Sequence, residues 1–419
     1  MNRKSWLPEL DRQVWILMAG RLLSAIGTGF TLFYAPIFFS QIGLSKTMVG
    51  IALGSQQISG IFGRLFGGSL TDAPGWGRRR TLLLSAAVSA IASFALAAAI
   101  DFPTLLLGNL IMGLGVGLYW PSTEAVVADL TDGSQRQEAY ALTRLGDSLG
   151  LGVGILVAGG FVSLTNAYRP LFVIDGITFA VFFWVIYWGI SQTQLYDQQL
   201  DAENRSTDST NVSFAQGWKI ALRDRALLLF VAVNIIFTTY ISQIQTTMPL
   251  YFNESIQWGA TDQQPAVISA LFSWHILLAV IFQLPIAKFL RRFSHPQALS
   301  VSALFWIVGF LTIFTTGLVA SYQIIWAVLG LALLTLGMVS YLPSASSLVA
   351  DIAPVNLRGV YLSVNSLCWA VGYFIGPSMG GFALDQPRPY SDMLWVGLAL
   401  STLLVLLLLR FLHRMMPKR

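Results

Sequence analysis

Four ionisable side chains stand within long apolar stretches of the chain, and these residues have the strongest potential for chemistry. Glu124 and Asp147 are carboxylates, and Arg21 and Arg144 carry guanidinium groups. A charge inside a bilayer costs a few kcal/mol or more, so such residues pair with one another or line a cavity. A carboxylate that binds and releases a proton there, adjusted by an arginine, can couple proton movement to a conformational change.

The sequence leaves two interpretations of these four residues open. In the first they form a buried ion-pair network that only stabilises the fold. In the second they couple proton movement, with Glu124 as the first candidate and Asp147 as the second. Arg21 and Arg144 would then adjust the carboxylates, and an arginine such as Arg21 is also a candidate ligand for an anionic substrate.

Other kinds of chemistry find little support in the sequence. Cys368 is the single cysteine, which excludes disulfides and cysteine-based metal sites. The three histidines, His275, His295 and His413, are far apart and have no partner at the spacing of metal ligands. The chain has no nucleophile–base arrangement and no ATP-binding loop. We therefore expect no metal, no cofactor and no enzymatic activity.

The composition predicts the environment that holds these residues. Of the 419 residues, 55% are hydrophobic and only 11% are charged, whereas soluble proteins carry roughly 25% charged residues. The apolar residues form long blocks, and about 20 consecutive apolar residues span a bilayer. The composition therefore predicts an all-α polytopic membrane protein.

The apolar blocks predict twelve transmembrane helices in two groups of six. Their approximate ranges are 14–40, 47–71, 80–100, 104–130, 138–164, 168–190, 226–252, 265–289, 297–318, 321–350, 359–384 and 391–412. A polar stretch between the groups cannot span. The predicted domains are an N-terminal six-helix bundle at 1–190, a cytoplasmic linker at 191–224 and a C-terminal six-helix bundle at 225–419.

An internal repeat supports the division into two similar halves. Tyr119-Trp120-Pro121-Ser122 is matched by Tyr341-Leu342-Pro343-Ser344. Asp129 and Asp351 are separated by the same interval as Tyr119 and Tyr341. Residues that both copies share are expected to be scaffold. Glu124, Arg144 and Asp147 are matched by uncharged residues, so a function that requires charge is expected in the first half.

The distribution of lysine and arginine predicts the orientation in the membrane. With the N-terminus in the cytoplasm, the inner segments hold twenty of these residues and the outer loops hold three, Lys46, Arg169 and Arg388. Basic residues concentrate on the cytoplasmic side of membrane proteins. We therefore expect a multi-pass protein of the cell membrane with both termini in the cytoplasm. The net charge of +5 reflects this topology and contact with the lipid bilayer, not binding to nucleic acid.

The loop after the second helix resembles the signature of a known family. It reads Gly67-Gly68-Ser69-Leu70-Thr71-Asp72, followed by Gly77-Arg78-Arg79-Arg80. Together with the doubled six-helix pattern, it is similar to the loop motif of the major facilitator superfamily. The resemblance implies twelve helices in two pseudo-symmetric bundles, transport by alternating access, and a cytoplasmic gating latch. In this chain the latch would consist of Gly68, Asp72, Asp129 and either Arg78 or Arg79. About two extra residues precede Gly77 in this chain.

A second motif resembles one found in the drug:proton antiporters of that superfamily. Gly372, Gly376, Pro377, Gly380 and Gly381 in helix 11 resemble the glycine–proline motif that those antiporters carry in helix 5. Small residues four apart let two helices pack closely. In helix 5 of this chain, Gly150, Gly154 and Gly159 are present but the proline is not.

Polar and aromatic residues on helices 1, 4, 7 and 10 are the candidates for a substrate cavity. They are Thr28, Tyr34, Tyr119, Asn234, Tyr240, Gln243, Gln245 and Tyr341. The resemblance implies a secondary active transporter. We expect the protein to be a monomer and to export a small amphipathic organic compound in exchange for protons. The alternatives are a transporter of a polar metabolite, such as a sugar or an organic anion, and a non-transporting receptor of the same fold.

Overall fold

The computed structural model describes residues 10–71, 73, 76–131, 136–191, 214–257, 264–290, 292–354 and 357–415. The described residues form helices and no β-strand. In chain order the helices are α1 (Arg12–Thr31), α2 (Ala35–Gln41), α3 (Lys46–Thr71), α4 (Gly77–Ala98), α5 (Phe102–Asp129), α6 (Arg136–Thr165), α7 (Arg169–Gly189), α8 (Phe214–Ala221), α9 (Arg225–Gln245), α10 (Thr247–Ser255), α11 (Gln264–Leu290), α12 (His295–Leu318), α13 (Gln323–Ile352), α14 (Arg358–Leu384) and α15 (Met393–Met415).

The long helices have the length and composition of membrane spans. Eleven segments of the described chain are long and apolar enough to cross a bilayer, with α1 and α2 counted together. The helix α3 is outside that set, although its 26 residues give it a length of roughly 39 Å. It is less apolar because it contains Gln56, Gln57 and Arg64. With α3, the described ranges hold twelve long helical segments, as the apolar blocks predicted.

The first and seventh predicted helices, at 14–40 and 226–252, are each interrupted by a short break. The breaks lie at 32–34, between α1 and α2, and at Thr246, between α9 and α10. Pro36 lies in the first turn of α2, and Pro249 lies in the first turn of α10. Proline has no backbone N–H and crowds the preceding turn, so a continuous helix through these positions is disfavoured.

The helices that open the two halves begin at equivalent aspartates. The Asp11 carboxylate accepts a hydrogen bond from the Gln13 backbone N–H at 2.7 Å, and caps α1. The Asp224 carboxylate accepts one from the Ala226 N–H at 2.8 Å, and caps α9. An acceptor at this position satisfies a donor that the helix leaves unpaired.

The two prolines at the helix breaks keep the same register as these aspartates. The interval from Pro36 to Pro249 equals the interval from Asp11 to Asp224, and it is shorter than the interval from Tyr119 to Tyr341. The repeat therefore continues into the first helices of the two halves, but with a different offset.

The chain forms two compact units. Unit 1 contains Met1–Leu32, Ser55–Phe161 and Thr165–Ser209, and unit 2 contains Phe33–Gly54, Val162–Leu164 and Thr210–Arg419. Helix α1 and most of α3 to α7 therefore belong to unit 1. Unit 2 holds α2, the first residues of α3, three residues near the end of α6, and α8 to α15.

Each unit has its own core. In unit 1, Val14, Leu17, Val127 and Phe182 are fully buried and bring α1, α5 and α7 together. In unit 2 the core is aromatic, with the Tyr240 and Trp306 rings 5.4 Å apart between centroids, and both rings packed on Phe310. Close van der Waals packing of such large side chains fixes the helices against one another within a unit.

Candidate functional site

Arg21 and Asp147 form the central contact of the site, and both belong to unit 1. The Arg21 side chain is 2% exposed, and the Asp147 side chain is 28% exposed. Arg21 Nε donates to Asp147 Oδ1 at 3.0 Å, and Arg21 Nη2 donates to Asp147 Oδ2. Two parallel N–H···O bonds to one carboxylate give a strong and directional ion pair. The pair joins α1 to α6.

Helix α5 completes the surroundings of the guanidinium group. Arg21 Nη1 donates to Thr123 Oγ1 at 3.3 Å. The guanidinium carbon lies 5.6 Å from the Tyr119 ring centroid and 5.9 Å from that of Trp120. Cations at such distances are attracted to the faces of aromatic rings. Arg21 is therefore held by a carboxylate, a hydroxyl and two rings from two neighbouring helices.

The Asp147 carboxylate lines a cavity within unit 1. The cavity has a volume of about 250 Å³ and an almost entirely apolar wall. Its lining residues come from five helices: Ser24, Ala25, Thr28, Ser89, Val116, Tyr119, Trp120, Asp147, Leu151 and Phe179. An apolar pocket with a few convergent polar groups is the usual form of a small-molecule site.

The other two charged candidates do not join this pair directly. Glu124 and Arg144 are exposed. Glu124 lies one turn beyond Trp120 on α5, and its charge acts on Arg21 through space. Arg144 lies three residues before Asp147 on α6. Of the four residues that the sequence singled out, the structure thus brings Arg21 and Asp147 into contact.

The two arginines considered for the expected gating latch, Arg78 and Arg79, have different partners. Arg78 forms an ion pair with Asp129, and its Nη1 donates to the Ala125 carbonyl at 3.2 Å. Arg79 donates to the Tyr187 carbonyl, and its guanidinium carbon lies 5.3 Å from the Tyr187 ring centroid. Arg78, and not Arg79, is therefore the partner of Asp129. Asp72 lies outside the described residues.

Two further observations bear on the latch region. A Cβ added at Gly68 would meet no atom within 4 Å, whereas at the neighbouring Gly67 it would lie 2.9 Å from Pro121 Cγ. Close packing therefore requires Gly67. In unit 2, Asp351, which corresponds to Asp129 in the repeat, lies with its Oδ2 atom 3.2 Å from His295 Nε2.

Most cavity candidates of the second half are bound within unit 2. Tyr341 donates its hydroxyl to Asn234 Oδ1, and Asn234 Nδ2 donates to Asn365 Oδ1 at 2.8 Å. Gln243 Nε2 donates to the Gly376 carbonyl at 2.9 Å. The amide and hydroxyl groups of Tyr341 and Asn234 thus bind within unit 2, whereas Gln243 Oε1 is buried without a hydrogen-bond partner among the described residues.

The remaining candidates lie in three places. Thr28 lines the cavity of unit 1 and donates to the Ser24 carbonyl at 3.1 Å. Tyr34 belongs to unit 2, where its hydroxyl donates to the Pro265 carbonyl at 2.7 Å. Tyr240 lines a second apolar cavity of about 470 Å³ in unit 2. Gln245 is partly exposed near Tyr373.

The repeat explains why the charge pair belongs to one half. In the register that relates Asp11 to Asp224, Arg21 corresponds to Asn234. Arg21 lies over the Tyr119 ring, and Asn234 binds the hydroxyl of the corresponding tyrosine, Tyr341. The second half therefore has a neutral side chain where the first has a cation.

The helix predicted as the eleventh span is α14 in the structure, and its glycines allow α14 to pack closely against α9 in unit 2. A Cβ at Gly372 would collide with Thr238 Oγ1, and one at Gly376 would collide with Ser242 Oγ. The geometry agrees with the close helix contact that the spacing of small residues predicted.

Sequence reasoning missed several residues of the site. Thr123 is hydrogen-bonded to Arg21, and Ser24, Ser89 and Phe179 line the cavity. None of them is unusual in an apolar helix, so residue type gave no signal. Trp120 stood within the repeated stretch and is unmatched in the second copy, which has Leu342.

Twelve membrane-length helices in the described ranges, two units with a common internal repeat, and a charged pair at an apolar cavity together define a polytopic membrane transporter. The sequence model of the Major Facilitator Superfamily matches residues 17–377 and, in a second match, residues 259–419. The chain belongs to this superfamily. This match confirms the predicted all-α fold class and the predicted resemblance to the superfamily. It also confirms that the chain is a transporter and not an enzyme.

Named relatives and solved structures are similar to the chain over most of its length. The chain is 25% identical over 360 residues to the multidrug resistance protein MdtH of Yersinia enterocolitica, covering 84% of this chain and 81% of the relative. MdtH of Yersinia pestis is 24% identical over 380 residues, with 88% and 86% covered. The nucleoside transporter NupG has a similar fold, with a TM-score of 0.79, 14% identity and 96% and 99% of the two chains covered. An auto-inhibited peptide transporter of the POT family has a TM-score of 0.74 at 17% identity, with 98% of each chain covered.

Proposed function

We propose that this transporter exports small amphipathic organic cations in exchange for protons, and that Asp147 carries the exchanged proton. The observation that carries the proposal is the Asp147 carboxylate, held on one side by the buried Arg21 and open on the other to an apolar cavity. The similarity to proteins named for multidrug resistance supports the substrate class.

The chemistry follows from competition for one carboxylate. A cationic group that enters the cavity gains from an ionised Asp147, and its apolar part gains from the rings of Tyr119, Trp120 and Phe179. A proton on Asp147 removes that attraction. It also weakens the bond to Arg21, since a neutral carboxyl accepts a weaker hydrogen bond than a carboxylate. Proton binding and substrate binding therefore exclude each other.

Glu124 has a secondary role in this proposal. Its exposed carboxylate lies one turn from Trp120 and attracts Arg21 through space. It attracts cations toward the cavity, and it competes weakly with Asp147 for the positive charge of the Arg21 guanidinium group. The order of the two carboxylates is thus the reverse of the order expected from the sequence, because Asp147 has the direct contact with Arg21.

A polar anionic metabolite is the less favoured substrate. Three donors of Arg21 are directed at Asp147 and Thr123. An organic anion would have to displace the carboxylate to bind Arg21, and a sugar would find few polar groups on the cavity wall. Both considerations favour the amphipathic cation.

We also propose the cell membrane as the location, with both termini in the cytoplasm and a monomer as the working unit. The support for the orientation is the excess of lysine and arginine in the segments between helices that would face the cytoplasm.

Transport in everted membrane vesicles tests the proposal, with ethidium as a cationic, amphipathic probe. We expect vesicles with an acidic interior to accumulate ethidium and to stop when nigericin collapses the pH gradient. Asp147→Asn is expected to abolish accumulation, because an amide keeps the shape of the side chain but cannot exchange a proton. Glu124→Gln is expected to reduce the rate without abolishing it.

The matched control is Glu138→Gln, which makes the same chemical change at an exposed carboxylate in the first turn of α6. This variant should transport as well as the unmodified protein. Accumulation by Asp147→Asn at the unmodified rate would refute the assignment. Loss of accumulation in Glu124→Gln alone would transfer the role to Glu124.

A further inference from the structure

A carboxyl group that the proposed site does not use lies one helix turn from the same cavity. Asp175 on α7 is 2% exposed, and Phe179, one turn further along α7, lines the cavity. On α4, Ser89 lines the cavity, and Ser93 one turn beyond donates to Asp175 Oδ2 at 2.8 Å. Ser93 Oγ is also 3.1 Å from the Ser89 carbonyl oxygen. Ser93 therefore lies between Asp175 and the turn of α4 in which Ser89 lines the cavity.

Asp175 has fewer partners than an ionised carboxylate requires. Its Oδ1 atom is buried and has no hydrogen-bond partner among the described residues. Helix α1 lies directly against it, because a Cβ at Gly27 would be 2.8 Å from Asp175 Oδ1. A buried carboxylate with a single hydroxyl donor is strongly disfavoured, whereas the neutral acid is tolerated in such a site. The geometry favours the form that holds a proton.

The charged groups on the neighbouring helices are engaged elsewhere. On α1, Arg21 lies six residues from Gly27, roughly 9 Å along the axis, and pairs with Asp147 of α6. On α7 itself, Arg169 Nη1 donates to the Ala97 carbonyl at 2.8 Å. The arginines of α4 lie at its opposite end, in the first turn. In the part of the chain that the structure describes, the immediate surroundings of Asp175 are thus neutral.

We propose that Asp175 is a second proton-binding site of the transporter, which exchanges its proton with the cavity past Ser93 and Ser89. This inference rests on the proposed proton-coupled export. In the releasing step the O–H bond of the carboxylic acid breaks, the proton passes to water in the cavity, and the carboxylate remains hydrogen-bonded to Ser93. Release requires water to reach Asp175 Oδ1, and therefore requires α1 to loosen its contact at Gly27. The protonation of Asp175 is in this way coupled to the packing of the helix that carries Arg21.

Infrared spectroscopy of the purified protein in liposomes tests whether Asp175 holds a proton. At neutral pH we expect a carbonyl stretching band of a protonated carboxyl that shifts in deuterated water. The band should be absent in Asp175→Asn and retained in Asp147→Asn. A protonated-carboxyl band that persists unchanged in Asp175→Asn would show that Asp175 does not hold the proton, and would overturn the proposal.

Ethidium accumulation in everted vesicles tests whether that proton is used. Asp175→Asn is expected to lose accumulation driven by the pH gradient but to keep ethidium exchange without a gradient. Gradient-driven accumulation at the unmodified rate would overturn the role of Asp175 and leave the proposed function intact. If the unmodified protein itself ignores the gradient, the proposed function fails, and this inference fails with it.

A second variant guards against a folding defect in Asp175→Asn. Ser93→Ala leaves the carboxyl group in place and removes its hydroxyl donor. We expect the protonated-carboxyl band to persist at a shifted frequency, because the hydrogen bond to Oδ2 is lost. An identical frequency would mean that Ser93 does not contact Asp175, and would overturn the proposed path.

Discussion

At the scale of single residues, the Arg21–Asp147 pair accounts for most of the behaviour that we expect of the site. Arg21 is almost fully buried, so its positive charge must be compensated by Asp147. Asp147 itself lines the cavity. An arginine without its carboxylate in such a place leaves an uncompensated buried charge. The pair therefore has a structural role, and the open side of Asp147 leaves that carboxylate accessible to a proton or a ligand.

A double-mutant cycle measures the structural part. Asp147→Ala is expected to lower the free energy of unfolding by about 3 kcal/mol, because Arg21 is then buried without a partner. Arg21→Ala combined with Asp147→Ala should be less destabilised than Asp147→Ala alone. Denaturation in detergent micelles provides the measurement.

The control for this cycle is the pair of Lys46 and Glu254 in unit 2, whose side chains are 18% and 42% exposed. Exposed ion pairs contribute about 0–1 kcal/mol, so the coupling there should be small. Equal coupling energies in the two cycles would contradict the distinction between a buried and a surface pair.

The sequence identified the residues of the pair but not the pairing. The cost of charge in an apolar stretch singled out Arg21, Glu124, Arg144 and Asp147. Which carboxylate meets Arg21 depends on the rotation of α5 and α6 about their axes. Thr123 faces Arg21. The next residue, Glu124, is rotated by about 100° around the helix axis and therefore points in a different direction. Spacing alone cannot fix that rotation.

At the scale of helices, the glycines of α14 make the most specific prediction. Gly376→Ala is expected to destabilise the protein by about 1–3 kcal/mol, because the added methyl group collides with Ser242 Oγ of α9. Gly397→Ala on α15 is the matched control, since a Cβ there meets no atom within 4 Å. Thermal unfolding in detergent compares the two variants. Equal stability would contradict the close contact of α14 with α9.

The helices themselves were predictable from apolar blocks, but two of their features were not. Pro36 and Pro249 break the first and seventh predicted helices although both stretches are largely apolar. The offset of the repeat also changes between the helix pair at Tyr119 and Tyr341 and the pair that begins at Asp11 and Asp224. Because the segments between these helices differ in length in the two halves, a single offset hid the correspondence between Arg21 and Asn234.

At the scale of the whole molecule, the apolar blocks and the doubled pattern of six helices predicted the fold class, and the loop motif at 67–80 added the resemblance to the superfamily. The division into units was less accessible to sequence reasoning. Phe33–Gly54 lies next to the first helix in the chain, yet it belongs to unit 2. Its membership depends on contacts such as that between Tyr34 and Pro265, which are 231 residues apart.

The proposed orientation leads to a prediction for the whole chain in its membrane. In a Cys368→Ser background, a cysteine at Arg388 should react with a membrane-impermeant maleimide in intact cells. A cysteine at Lys219 should react only after the membrane is permeabilised, because the positive-inside rule assigns Lys219 to the cytoplasm. The reverse pattern of labelling would contradict the orientation.

The central claim is that substrate and proton compete for Asp147. Its most direct test is the pH change when ethidium is added to the purified transporter in a weakly buffered detergent solution. We expect the unmodified protein to release protons as ethidium binds. Asp147→Asn, whose neutral amide resembles the protonated carboxyl, is expected to bind ethidium weakly and to release no protons. Binding of ethidium to the unmodified protein with no proton release, or equal release by Asp147→Asn, would contradict the account.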